Sequence, residues 1–143
     1  MSDFFSSLDV SSSALSAERL RMNVTSSNLA NAQTTRTPEG GPYRRKDAVF
    51  EAKPFAEELA AQMDAPLHQV KVVDVISDPN PPKLVYQPDH ADANADGYVA
   101  YPNVNTMEEM VNLINSSRTF EANVTVINTT RNMMHKALDI GRR

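Results

Sequence analysis

A short acidic loop holds the residues whose types come closest to a ligand-binding site. The order Asp92, Asn94, Asp96, Gly97 matches the first half of a calcium-binding loop, in which carboxylate and amide oxygens recur at alternate positions. The position that should close such a loop with a bidentate glutamate is Asn103, and the flanking residues predict strands rather than paired helices. An ordinary loop with an Asp-Gly turn is therefore favoured over a calcium site.

The other reactive residue types are scattered. His68, His90 and His135 occur in three unrelated contexts, and none is paired with another at metal-ligand spacing. The chain has no cysteine, which excludes disulfides, thiolate metal sites and thiol catalysis. No serine stands in a Gly-x-Ser-x-Gly turn, and the 4 glycines form no phosphate-binding loop. We therefore expect no enzyme active site, no bound metal and no cofactor.

The charge pattern argues against nucleic acid as a partner. The formal net charge is −4, and the densest basic run, Arg44-Arg45-Lys46, is followed at once by Asp47. Such a run is typical of a solvated strand edge. No stretch approaches the length of a membrane span, and residues 1–5 lack the features of a secretory signal. We expect no membrane insertion and, if the protein is exported, a route without a cleavable signal peptide.

The C-terminal segment, residues 106–143, carries the strongest periodic pattern. Apolar residues recur every seven positions in two interleaved series, which predicts one long helix with an associating a/d seam. The first series also contains Ser117, and Arg131 interrupts it; a polar residue there can set register and partner number. The apolar residues expected to contact other subunits are Met110, Leu113, Phe120, Val124, Ile127, Met134 and Leu138.

A second helix is predicted over residues 1–32, although serine, a poor helix former, supplies 9 of the first 27 residues. Its subunit-contact series is Leu8, Leu15, Met22 and Leu29, and a second apolar side holds Val10, Ala17, Leu20 and Val24. Two apolar sides predict neighbours on both, as in a multi-chain bundle. Packing of the helix on its own domain is the alternative. We expect both terminal helices to be marginal alone and to fold on assembly.

The middle segment, residues 33–105, predicts a small β-rich domain, which makes the fold class α+β. Strands are predicted at 43–51, 84–86 and 98–101, with a central strand at 68–76 and a short helix from Pro54 to Met63. A left-handed Asn31 is predicted to end the first helix. The last helix should start at Asn105 or Thr106, with a Thr106–Glu109 capping box, and Glu108 and Glu109 should be solubilising charges.

The segment Asn28-Leu29-Ala30-Asn31-x-x-Thr34, at the end of the first helix, resembles the signature of bacterial flagellar axial proteins of the rod and hook. Further segments are similar to proximal rod members of that family. These are Pro38–Lys46, Lys83–Tyr86, Asp96–Val99 with Pro102–Val104, Met107–Met110 and Ser117–Asn123. The resemblance spans essentially the whole chain, but no fixed family pattern covers residues 50–67.

The resemblance implies a structural role. Such proteins leave the cell through the flagellar type III export apparatus without signal cleavage and assemble as a helical tube in the periplasm. Their terminal helices form an inner coiled-coil layer and the middle segment forms a small outer domain. The implied partners are copies of the chain, other proximal rod subunits, the ring–rod adaptor and the distal rod protein. The rod transmits motor torque.

Two other function classes remain open from the residues alone. An intracellular coiled-coil scaffold would share the helical seams but would stay in the cytosol. A calcium-binding module would depend on Asp92, Asn94 and Asp96. Within the proposed rod protein, Asn28 and Asn31 have short amide side chains suited to tying the helix end to nearby backbone.

Overall fold

Two long terminal helices flank a β-rich middle, which is the α+β arrangement that the sequence predicts. The structure, a computed structural model, describes residues 2–54 and 68–141. None of the helices in these ranges is long and apolar enough to cross a membrane. The elements in chain order are α1 (Ser2–Ala30), β1 (Lys46–Pro54), β2 (His68–Ser77), β3 (Lys83–Tyr86), β4 (Tyr98–Tyr101) and α2 (Thr106–Gly141).

The C-terminal end of α1 is closed by side-chain and turn hydrogen bonds. Nδ2 of Asn31 donates to the Ser27 carbonyl at 2.9 Å, and the Asn31 carbonyl accepts from the Thr34 N–H at 3.0 Å. These bonds satisfy groups that a helix end leaves without intrahelical partners. The predicted left-handed conformation of Asn31 is wrong, because among the described residues only glycines have positive φ.

The N-terminal end of α2 is capped by Asn105. Its Oδ1 accepts from the Met107 N–H at 3.2 Å, and its carbonyl accepts from the Glu109 N–H at 3.0 Å. Asparagine is among the preferred N-caps because its short side chain reaches the free amides of the first turn. The predicted capping box between Thr106 and Glu109 is wrong, since the Glu109 carboxylate turns to other partners.

Strands β1 and β2 form an antiparallel hairpin. The register shifts between Val49 and Phe50, so that Val73 is an extra residue on β2. In the described part of the chain β2 pairs with β1 alone, and the prediction of a central strand is therefore wrong. Pro54 is the last residue of β1 rather than the start of a helix. The rest of that predicted helix lies outside the described residues.

The hairpin lies along α1, with β1 antiparallel to the helix. One hydrogen bond joins Ser13 Oγ to the Val70 N–H at 3.2 Å, and the Arg21 guanidinium lies 4.5 Å from the centre of the Phe50 ring. From the end of α1 towards its start, the contacts occur in the order Asn28–Lys46, Arg21–Phe50 and Ser13–Val70. The second neighbour predicted for α1 is thus found within its own chain.

Strands β3 and β4 form a separate antiparallel pair, closed by the loop that the sequence predicts to contain an Asp-Gly turn. Gly97 has φ of 80°, and a Cβ atom there would lie 2.8 Å from the Tyr86 ring. Both features favour glycine at this position. The Tyr86 and Tyr98 rings meet edge to face at 5.4 Å.

Little apolar surface is buried within the described ranges, 2–54 and 68–141. Among the described residues, the buried hydrophobic side chains are Ala17, Val99 and Val104. Many large apolar side chains of α2, β2 and β3 are instead exposed, including Leu84 at 64% and Ile140 at 77%. Exposed apolar surface of this extent is typical of a chain that packs against other chains.

Candidate assembly site

Asn28 binds the first residue of β1 as a neighbouring strand would. Its Nδ2 donates to the Lys46 carbonyl at 2.8 Å, and its Oδ1 accepts from the Lys46 N–H at 2.9 Å. Oδ1 also accepts from the Tyr43 hydroxyl at 3.0 Å, while Nδ2 lies 3.3 Å from Oε2 of Glu109. The side chain is 1% exposed. The prediction that Asn28 ties the helix end to adjoining backbone is confirmed.

Glu109 and Arg45 form an ion pair beside Asn28, in which Glu109 is buried and the Arg45 side chain is 23% exposed. Oε1 of Glu109 accepts from Nε of Arg45 at 2.7 Å, and Nη1 of Arg45 lies 3.3 Å from the exposed carboxylate of Asp47. Burial lowers the pKa of Arg45, but the hydrogen bond and charge of Glu109, assisted by Asp47, outweigh it and the pKa is raised. The Arg45 guanidinium therefore stays protonated throughout the physiological pH range.

We call this cluster the polar junction: Asn28, Tyr43, Arg45, Lys46 and Glu109. It joins the end of α1, the start of β1 and the first turn of α2. A carboxylate at the N-terminal end of a helix is also favoured by the helix dipole. A hydrogen bond to a charged group typically contributes about 1.5–3 kcal/mol to stability. The polar junction therefore fixes the hairpin relative to both helices.

The sequence analysis missed two members of the polar junction. Glu109 was predicted to be a solubilising charge but is 1% exposed. Arg45 was assigned to a solvated strand edge but binds Glu109. The neighbours Arg44 and Glu108 are indeed exposed. The seven-residue repeat of α2 could have indicated that Glu109 is buried, because it lies seven residues before Ser116, which is also buried.

The remaining signature residues support the polar junction from the loop side. Thr34 Oγ1 lies 3.2 Å from Asn31 Oδ1, and the Thr34 carbonyl accepts from the Tyr43 N–H at 3.0 Å. That bond positions the tyrosine that donates to Asn28. Leu29 is half-buried and Ala30 is exposed. The signature thus closes the helix end and presents Asn28 to β1.

The face of α2 that packs on α1 differs in part from the predicted seam. Its buried residues, Glu109, Ser116 and Thr130, fall on one seven-residue series. A second series on the same face is half-buried and consists of Leu113, Phe120, Ile127 and Met134. The predicted d positions therefore lie on the α1-facing side, whereas the predicted a positions are displaced by one residue from the buried series.

The displaced a positions form an exposed stripe along α2. Exposure is 46% for Met110, 37% for Val124 and 55% for Leu138, and Arg131 is also exposed. We call Met110, Val124 and Leu138 the outer stripe. Further exposed apolar residues lie on the rear of the helix and are Val111, Val126, Met133 and Ile140. A helix with apolar residues on all sides is suited to several neighbours.

The predicted contact residues of α1 are all half-buried. These residues are Leu8, Leu15, Met22 and Leu29. α1 contacts both α2 and the hairpin, so each of its apolar sides is partly buried within the chain. The remaining exposed surface of these side chains is available to a second chain.

The acidic loop uses its polar groups for internal contacts. Thr35 Oγ1 donates to Asp92 Oδ2 at 2.8 Å, and Arg36 lies 3.8 Å from the same carboxylate. Asn94 Oδ1 accepts from the N–H groups of Asp96 and Tyr98 at 3.0 and 2.8 Å. In the described ranges no three acidic or histidine side chains are grouped as metal ligands. The geometry is that of an ordinary turn.

Both ends of the chain match known protein families. The family described as "Flagella basal body rod protein" matches residues 8–36, which covers most of α1 and the signature. The family described as "Flagellar basal body rod FlgEFG protein C-terminal" matches residues 95–140, which covers β4 and nearly all of α2. The two matches coincide with the terminal helices.

Similarity to curated relatives extends over nearly the whole chain. The flagellar basal-body rod protein FlgC of Bacillus subtilis is 48% identical, covering 96% of this chain and 98% of the relative. The FlgC proteins of Yersinia enterocolitica and Borreliella burgdorferi are 46% and 44% identical, with coverage of 94–95% of this chain and 95–96% of each relative. The chain belongs to the FlgC family of flagellar basal-body rod proteins.

Membership in the FlgC family confirms several predictions made from the residues and the resemblance. The protein is a structural subunit of the flagellar rod and not an enzyme. It assembles with other rod components of the basal body. This result decides against an intracellular scaffold, which the terminal helices alone had left open.

Proposed function

We propose that the protein is a subunit of the proximal rod, where copies of it and of other rod proteins form a helical tube that transmits motor torque across the periplasm. The observation that supports the proposal is that two sides of α2 have different surroundings. One face packs on α1, while the outer stripe stays exposed over about 40 Å of helix, the rise of the 28 residues from Met110 to Leu138.

The proposed subunit interface includes the outer stripe and the exposed parts of the two half-buried series. Its residues are Leu8, Leu15, Met22, Leu29, Met110, Leu113, Phe120, Val124, Ile127, Met134 and Leu138. Torque must pass through noncovalent contacts, so a long seam repeated around a tube distributes it over many side chains. The low apolar burial among the described residues supports this assignment, because the surface that these side chains leave exposed can be buried only by neighbouring chains.

The proposed partners are other proximal rod subunits, the ring–rod adaptor and the distal rod protein. The flagellar type III export apparatus is the proposed route to the periplasm, without cleavage of a signal peptide. The absence of cysteine from the chain suits an oxidising compartment, because no thiol can be misoxidised there.

The decisive experiment places a charge on the outer stripe. We expect Val124→Asp to abolish swimming in soft agar and to remove the subunit from purified basal bodies, because a carboxylate would be buried in the seam. The matched control, Val124→Leu, keeps an apolar side chain and should retain motility. Normal rods and swimming with Val124→Asp would contradict the interface.

Export and folding are measured in parallel. Because Val124 is partly exposed within the chain, the Asp variant should be secreted at wild-type levels with an unchanged circular dichroism spectrum. Fractionation of the wild-type protein tests its location separately. Recovery in the cytosol rather than with basal bodies would contradict the periplasmic rod assignment.

A further inference from the structure

A cleft of about 430 Å³ opens beside the polar junction, between the hairpin and α2. One wall is β1, the opposite wall is the first half of α2, and α1 forms the floor. The hydrogen-bonding side chains along its α2 wall include Asn112, Asn115 and Thr119. Its lining is mostly polar, so the cleft is suited to hydrogen bonding rather than to an apolar side chain.

β1 presents its edge to this cleft. Asp78 follows the last residue of β2, and its N–H donates to the Arg45 carbonyl at 2.7 Å. The backbone N–H and C=O groups of Arg45 therefore point towards β2. Peptide groups alternate in direction along a strand, and those of Lys46, Ala48 and Phe50 therefore point away from β2. Ala48 and Phe50 both line the cleft. Consecutive lining residues from 45 to 48 also indicate a strand seen edge-on.

The backbone groups of Lys46, the first of these edge positions, are already paired with the Asn28 side chain, as they would be with a neighbouring strand. Asn28 binds both the N–H and the carbonyl of Lys46. No hydrogen bond from the described residues reaches the outward groups of Ala48 or Phe50. Unpaired edge groups are a template for pairing with another chain. The open part of the edge thus begins immediately after the Asn28 contact.

The opposite wall offers the same amide chemistry. Asn112, Asn115 and Thr119 are spaced by three and four residues, so they lie on one side of α2. Within the described ranges, the amides of Asn112 and Asn115 make no hydrogen bond to another residue. Asn28 demonstrates in the same cleft that an asparagine amide can hold extended backbone. Backbone lying between the two walls would be bound on both sides.

We propose that the cleft receives an extended segment of a neighbouring copy of this chain, which pairs with the edge of β1 at Ala48 and Phe50. The segment would be about three residues long, since the open edge from Ala48 to Phe50 measures about 7 Å at about 3.3 Å per residue. The inference rests on the proposed function. A copy is the occupant because the cleft wall adjoins the exposed rear of α2, beginning at Val111, where a neighbouring subunit would pack.

Proline substitution along the edge of β1 tests the proposal. Ala48→Pro removes one outward N–H while leaving the bonds between β1 and β2 intact, because proline is tolerated at edge positions. The matched control is Ala52→Pro, which also points away from β2 but does not line the cleft. We expect about tenfold less Ala48→Pro protein in purified basal bodies, the factor predicted for loss of one strand contact.

Thermal unfolding of both purified variants provides the control for folding. Equal melting temperatures with selective loss of Ala48→Pro from basal bodies support strand addition. Equal incorporation of the two variants, or equal loss of both, overturns it. The outer-stripe variant Val124→Asp is run alongside. Normal incorporation of Val124→Asp would contradict the proposed function itself, whereas its failure together with normal incorporation of Ala48→Pro overturns only the strand addition.

Photo-crosslinking identifies the occupant. A benzophenone amino acid replaces Asn115, and crosslinked peptides from assembled basal bodies and from dilute monomer are compared by mass spectrometry. We expect a crosslink to an extended segment of a second copy in basal bodies only. A crosslink to a different rod protein, or to residues 55–67 of the same chain in the monomer, would overturn the proposal.

Discussion

At the scale of single residues, the polar junction shows how one buried carboxylate organises three elements. Glu109 lies in the first turn of α2, receives the Arg45 guanidinium and lies within reach of Asn28, which holds Lys46. Each contact joins segments far apart in sequence. The identity of Glu109 is therefore set by charge and hydrogen-bond geometry rather than by helix propensity.

We expect Glu109→Ala to lower the free energy of unfolding by about 1.5–3 kcal/mol, because it removes the charged hydrogen bond to Arg45, which is partly exposed and keeps its contact with Asp47. Urea unfolding followed by circular dichroism measures this change. The control is Glu108→Ala, at an exposed position one residue away, with an expected effect within about 0.5 kcal/mol. Equal effects of the two substitutions would show that the ion pair contributes little.

Gly97 provides a second test at this scale. Gly97→Ala would place a left-handed alanine with its Cβ against the Tyr86 ring, and we expect a loss of about 1–3 kcal/mol. Gly41→Ala is the control, because its φ of 76° is similar but no atom lies within 4 Å of the added Cβ. The difference in melting temperature between the two variants reports the steric contact alone. A larger loss at Gly41 would contradict the packing of Tyr86.

At the scale of elements, α2 pairs with α1 through small polar residues on one series and larger apolar residues on the other. Ser116 and Thr130 are buried, while Phe120 and Ile127 are half-buried. Small side chains allow the helices to approach closely, which shields the polar series. The apolar residues next to this face remain exposed for other chains.

The register of the helix pair predicts different effects at adjacent serines. We expect Ser116→Leu to overpack the helix interface and to destabilise the protein by about 1–3 kcal/mol. Ser117→Leu, at a half-buried position of the predicted seam, should change the stability by less. Thermal unfolding and hydrogen exchange of α2 amides measure the difference. A larger loss of stability with Ser117→Leu than with Ser116→Leu would favour the packing side predicted from the sequence.

Sequence patterns predicted the elements better than their contacts. The seven-residue repeats of Leu113, Phe120, Ile127 and Met134 correctly indicated a helix with one packing side. The heptad rule assigned Met110 rather than Glu109 to the packing side of α2, because the rule considers only apolar residues. It cannot detect a buried charged side chain whose partner, Arg45, lies 64 positions away in the sequence. Asn28 was recognised through its signature, whereas Arg45 gave no local signal that distinguished it from Arg44.

At the scale of the whole molecule, the part of the chain that the structure describes exposes much apolar surface and has a small core. Its long helices bury few apolar side chains, and the outer stripe and the rear of α2 remain open. Ordering a long helix costs conformational entropy, which in proteins is offset mainly by packing against other elements. The subunit is therefore suited to gaining much of its stability from the rod.

We expect the terminal helices to be less ordered in the dilute, isolated protein than in the rod. Hydrogen exchange at α2 amides beyond Thr130 should be fast in the monomer and slow in purified basal bodies. Strand β4, with buried Val99, serves as an internal control that should be protected in both. A fully helical, protease-resistant monomer at high dilution would contradict folding on assembly.

The antiparallel contact between α1 and α2 places the start of α1 and the end of α2 at the same end of the helix pair. Counting from the Asn28–Glu109 contact, α1 reaches its start after 26 residues, so α2 extends past it from about residue 135. A fluorescent fusion or affinity tag at either terminus would occupy this shared end. Labels for imaging are better inserted in the Pro88–Gly97 turn, which lies at the opposite end because its Asp92 binds Thr35, shortly after α1 ends.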